Sequence, residues 1–148
     1  MDNKKLKEEL FEHCRDFINS RIFRIKSNID ATQEALTSET KSSAGDKHET
    51  GRAMIQLERE KLGQQLAEAE KTKQVLSQIK IKDKAEHVLQ GSLVYTTKAN
   101  YFIGISAGEY KNIYCISSIT PIGRLLLGKS IGDTVRFSEN DFVIKQIH

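Results

Sequence analysis

The chain has no tryptophan, one proline, two cysteines and 7% aromatic residues in 148. It also has no apolar run long enough to cross a bilayer, which needs about 20 residues as a helix. Met1 to Leu10 alternates Lys, Glu and Leu with no apolar signal-peptide core, so the expected location is the cytoplasm. Cys14 and Cys115 stand in regions of different character, without C-x-x-C or His-rich spacing. That excludes a zinc site and leaves two reduced thiols packing as small apolar groups. The net charge is only +3, which argues against bulk electrostatic binding of nucleic acid and leaves room for a local basic face. Hydrophobic residues at 38% against 29% charged suit an exposed helical hairpin better than a single globule.

From Asn3 to about Thr40 there is neither Gly nor Pro. Ile18, Ile22, Ile25, Ile29, Thr32 and Leu36 step by four and three, a heptad seam. Extended backwards it passes Arg15 and reaches Phe11, with Leu10, Cys14 and Phe17 beside it. Residues 41–50, Lys-Ser-Ser-Ala-Gly-Asp-Lys-His-Glu-Thr, read as a turn. From about Arg52 a second seam runs through Ile55, Arg59, Leu62, Leu66, Ala69, Lys73 and Leu76. Two such seams around one turn predict an antiparallel coiled coil over residues 1–82, with its tip at 41–50. Helices of about 30–35 residues would be roughly 45–53 Å long. Gly51 and Gly63 weaken the second one slightly.

Lys80 to Val88 is charged, lacks a seam and reads as a linker into a second domain, residues 83–148. There the pattern changes to short runs rich in Val, Ile, Tyr and Thr: Leu93–Thr97, Tyr101–Ser106, Ile113–Ser117, Thr134–Phe137 and Phe142–Ile147. Ala107-Gly108-Glu109 and Ser138-Glu139-Asn140 are the expected turns. Thr120 as N-cap, Pro121 at the first helical position and Gly128 as the stop predict one short helix. The expected class is α+β, a helical hairpin followed by a small, mostly antiparallel sheet carrying one short helix.

The run Ile116-Ser117-Ser118-Ile119-Thr120-Pro121-Ile122-Gly123-Arg124-Leu125-Leu126-Leu127-Gly128-Lys129-Ser130-Ile131-Gly132-Asp133-Thr134-Val135 resembles the signature of the bacterial Gre transcript-cleavage factors. Gly91-Ser92-Leu93-Val94 resembles the first strand of their C-terminal domain, and the order of parts agrees over nearly the whole chain. The resemblance implies an FKBP-like sheet domain. It also implies binding to RNA polymerase at its secondary channel, with docking near Ser118, Thr120 and Pro121 and the coiled coil reaching inward. With no set of aromatics to line a proline pocket, isomerase activity is not expected.

In the family two tip carboxylates help hold a catalytic magnesium ion while the polymerase cleaves backtracked RNA. Magnesium takes oxygen ligands in octahedral geometry. Here Gly45-Asp46-Lys47-His48-Glu49 places Asp46 and Glu49 at the family's acidic spacing. Three residues apart, both lie on one face if the segment opens the second helix. As a capping pair, Asp46 would be the N-cap and Glu49 its reciprocal partner. The tip departs from the family, which follows the Glu with Asn-Ala-Glu-Tyr, whereas Thr50-Gly51-Arg52-Ala53 follows here. Lys47 and Arg52 bring positive charge that opposes a cation or pairs with Asp46. His48 reads as an exposed turn residue. Arg52, Arg59 and Lys61 are either RNA-facing or part of a solvated face interleaved with Glu58 and Glu60.

These readings lead to a polymerase-binding elongation factor that stimulates cleavage through Asp46 and Glu49. Such a factor has no independent active site, shares magnesium with the polymerase, and meets the RNA 3′ end only indirectly. Neither a membrane nor a small-molecule substrate is expected. The alternatives are a secondary-channel regulator without cleavage, or a coiled-coil adaptor for an unrelated partner.

Overall fold

The computed structural model describes residues 3–41, 45–81 and 85–148, and the side chains of residues 39–48 lie outside that description. Among the described residues the elements are, in order, α1 (Asn3–Lys41), α2 (Gly45–Ser77), β1 (Leu93–Thr96), β2 (Asn100–Gly104), β3 (Glu109–Tyr110), β4 (Ile113–Ser117), α3 (Pro121–Leu126), β5 (Thr134–Phe137) and β6 (Asn140–Ile147). The class is α+β, with long N-terminal helices followed by a six-stranded sheet with a short helix. No helix among the described residues is long and apolar enough to cross a membrane.

Two compact units emerge, one of Met1–Phe17 with Gln74–His148, the other of Ile18–Lys73. The expected boundary at 82/83 falls on residues outside the description. The first turns of α1 and the end of α2 belong to the sheet unit.

In the unit of residues 18–73, Ile18, Ile22 and Ile25 on α1 and Leu62 and Ala69 on α2 are buried. Ile29, Thr32, Leu36, Ile55 and Leu66 are half-buried along the same stripes. The second helix starts at Gly45 rather than near Arg52 and runs straight through Gly51. A helical glycine costs about 1 kcal/mol, less than seam burial returns over the following turns.

The backward extension of the first seam differs from expectation. Phe11 is half-buried, Arg15 and Phe17 are exposed, and the buried stripe runs instead through Leu6, Leu10 and Cys14. These turns belong to the unit that holds the sheet and the end of α2. Arg15 turns outward to Glu12 at 3.2 Å, its guanidinium 5.1 Å from the Phe11 ring centre.

The sheet order is β3-β4-β2-β1-β6-β5. All pairs are antiparallel except β2 with β4, where Phe102 stands opposite Cys115 in parallel register. Both faces of its centre are covered, so Tyr101 to Gly104 reads as one continuous buried run. One face carries a core of Val88, Val94, Tyr101, Ile103, Leu126, Val135, Phe142, Ile144 and Ile147. On the other, His13 donates its Nε2–H to the Ala107 carbonyl at 2.8 Å, and the Cys14 sulfur lies 3.9 Å from where a Gly104 Cβ would stand.

Val88, expected in the linker, is fully buried and exchanges backbone hydrogen bonds with Gly128 and Lys129. Glu109, expected in a turn, opens β3. The β3–β4 hairpin reverses at Lys111-Asn112 and the β5–β6 hairpin at Ser138-Glu139, each pair with both φ values positive. Two positive φ angles are the type I′ geometry that matches the strand twist.

Candidate functional site

The signature run folds into one continuous device from the end of β4 to β5. Thr120 has extended backbone angles and caps α3, its Oγ1 accepting from the Gly123 N–H at 3.1 Å while its hydroxyl donates to the Ser117 carbonyl at 2.7 Å. Pro121 occupies the first turn, where its missing N–H costs nothing. A Cβ on Gly123 would overlap the Ser117 carbonyl oxygen, so only glycine lets the helix approach the strand end this closely. Gly128, with φ of +84°, ends the helix, and its N–H bonds to the Val88 carbonyl at 2.8 Å. Asp133 then accepts from the Ser130 N–H at 2.7 Å and holds the turn into β5.

Of the expected docking residues, Ser118 is half-buried and accepts from the Gln90 side-chain amide at 2.9 Å, and the Thr120 hydroxyl is committed to the cap. Pro121 is exposed. The side chain that the turn presents most openly is Ile119, 72% exposed, a residue that sequence reasoning passed over. Leu125, Leu127 and Ile131 are exposed on the same stretch of chain. The signal was available: a six-residue helix buries only one stripe, here Gly123 and Leu126, so a run of three leucines must leave some outside. Thr120→Ala should lower stability by about 1 kcal/mol through loss of the cap, and Thr120→Ser should restore most of it. Chemical denaturation of the three proteins checks this, and equal midpoints would remove the cap from the account.

At the start of α2, Asp46 falls in the first turn, inside the helix rather than at the preceding cap position, and Glu49 follows one turn later. The Asp46, Lys47 and His48 side chains lie outside the described residues, while Glu49 and Arg52 are exposed. Arg59 is half-buried, its Nη1 standing 3.1 Å from where a Gly63 Cβ would be. Lys61 is exposed and lines a shallow groove with Arg21, Gln64 and Glu68. Among the described residues no three His, Cys, Asp or Glu side chains gather as a metal site.

An open cleft of about 680 Å³ in the sheet unit is lined by residues that include Tyr95, Lys98, Glu109, Tyr114 and Lys145, with no Ser, Cys or His among them. No protein-family model and no curated protein matches the chain.

Proposed function

We propose that this chain binds RNA polymerase at its secondary channel and regulates elongation in the cytoplasm, stimulating cleavage of backtracked RNA through Asp46 and Glu49. In this reading the sheet unit is FKBP-like and docks through the β4–α3 turn, and the two-helix unit is the coiled coil that enters the channel. The observation that carries it is the signature run itself. The residues that resemble the Gre factors form a rigid turn, held by the Thr120 cap and the Gly123 contact, with Ile119 displayed at its apex. An apolar side chain fixed by surrounding backbone loses little entropy on docking.

The chain supplies no chemistry of its own in this scheme. Asp46 and Glu49 would offer two carboxylate oxygens to a magnesium ion shared with the polymerase, which supplies Lewis acidity and a bound nucleophilic water. What the chain contributes is placement: both residues sit at the start of a long helix, one turn apart.

Lys47 and Arg52 favour a second reading, a channel regulator that does not stimulate cleavage. Their charge opposes a cation, and so does the partial positive charge at a helix N-terminus. Both readings share the polymerase partner.

Ile119→Asp should leave the chain folded, because the side chain is exposed, and should weaken polymerase binding at least about tenfold, the loss of roughly 1.4 kcal/mol at an interface anchor. Titration against core polymerase measures it. If the wild type does not bind polymerase, the adaptor alternative takes over.

A further inference from the structure

Cys14 and Cys115, far apart in sequence, meet in the fold. Cys14 is on α1, fully buried, and Cys115 is on β4, 3% exposed. Cys115 is opposite Phe102 on β2, and Phe102 and Gly104, two residues apart on one strand, face the same side. The Cys14 sulfur lies over Gly104, 3.9 Å from its missing Cβ. The absent side chain makes room for the sulfur beside the neighbouring strand that carries Cys115. Both thiols are free.

We propose that Cys14 and Cys115 are a redox pair, which a peroxide oxidises to an intramolecular disulfide that fastens the first turns of α1 to β4. In the reduced chain non-covalent contacts hold those turns: buried Leu6 and Leu10, the His13 bond to Ala107, and Glu9 with Lys111 at 3.3 Å. The disulfide adds a covalent link across the same contact.

The two thiols are not equivalent. The Cys115 S–H donates to the Cys14 sulfur, and the Ile105 N–H adds to it, which holds the Cys14 thiol below its ordinary range against the effect of burial. The same bond, with burial, pushes the Cys115 thiol up. The step is written with Cys14 attacking and Cys115 resolving. The Cys14 thiolate takes one oxygen from hydrogen peroxide, giving a sulfenic acid and hydroxide, which the released thiol proton converts to water. Cys115 then attacks that sulfur, the S–O bond breaks, and a second water leaves with the Cys115 proton. Two thiols and one peroxide give one disulfide and two waters. Burial makes the step depend on transient opening of the first turns of α1, so it is slow until that segment loosens.

The test uses the full chain. The reduced protein is exposed to hydrogen peroxide, free thiols are alkylated, and peptides are mapped by mass spectrometry without reduction. The expected result is loss of both thiols, a cross-linked peptide joining Cys14 to Cys115 in monomeric protein, and reversal by dithiothreitol. Amide hydrogen exchange across the first turns of α1 should slow in the oxidised form. In Cys115→Ala the reaction should stop at a Cys14 sulfenic acid that dimedone traps. The pairing is overturned if both thiols still alkylate after a peroxide dose that consumes them in urea. Cross-links only between chains overturn it equally.

Discussion

Gly123→Ala should unfold the sheet unit at distinctly lower denaturant, with a loss of about 2–4 kcal/mol. In an exposed helix interior alanine is the better residue by about 1 kcal/mol, so local propensity points the other way. The clash decides the sign. The new methyl would overlap the Ser117 carbonyl oxygen and crowd the Thr120 Oγ1 that caps the helix. The first obstacle is backbone at the end of β4, which cannot rotate away as a side chain can. Relief requires α3 to lift from the strand end, breaking the cap and disturbing Leu126 in the core. Gly63→Ala is the matched control. Its methyl would meet only the end of the flexible Arg59 side chain, and the change should stabilise the two-helix unit by up to about 1 kcal/mol. The two effects can be read separately. The chain has no tryptophan and all four of its tyrosines lie in the sheet unit, so tyrosine fluorescence follows that unit while helical circular dichroism reports mainly on the other. A Gly123→Ala midpoint equal to wild type would mean that the turn relaxes freely, and its rigidity would drop out of the docking argument.

The parts legible in the sequence are those fixed by local chemistry. Thr120, Pro121 and Gly128 announce α3 because capping, a fixed φ and a left-handed stop each act within a few residues. The seams of Ile18, Ile22, Ile25, Leu62 and Ala69 are periodic, so their burial follows from spacing alone. What spacing does not reveal is the identity of the covering partner. Leu6, Leu10 and Cys14 take over from the Phe11 and Arg15 line where α1 enters the unit that holds the sheet, and nothing in the residues of α1 marks that change. The hairpin turn at Lys111-Asn112 carries no glycine, so its two positive φ angles are imposed by the pairing of β3 with β4. Val88 sits in a charged stretch and is drawn into the core by backbone bonds to residues forty positions later. The meeting of Cys14 with Cys115 is of the same kind, a product of where α1 lies against the sheet, which no local pattern encodes.

On the cleavage reading, Asp46→Asn and Glu49→Gln should each reduce stimulated cleavage by on the order of 100-fold or more, since a lost ligand matters at least as much as a lost supporting contact. Polymerase affinity should stay nearly constant. Both substitutions preserve shape and hydrogen bonding and remove only the negative charge that draws magnesium. Their structural cost is small. Asp46 lies in the first turn of α2, where a carboxylate gains about 0.3–1 kcal/mol from the helix dipole, and Glu49 is exposed. Loss of cleavage with retained binding therefore reports charge and not folding. Lys47 gives the complementary gain: Lys47→Leu removes a cation next to Asp46 and should raise cleavage most at limiting magnesium, the difference closing as magnesium saturates. Measurement of RNA shortening in backtracked complexes across a magnesium series checks all three variants together. A wild type that binds polymerase and changes pausing, yet shortens no RNA at any magnesium concentration, removes the cleavage reading and leaves the regulator. In that case Lys47 and Arg52 are the informative residues at the tip. Reversing their charge should then alter channel occupancy, while Asp46→Asn leaves it unchanged.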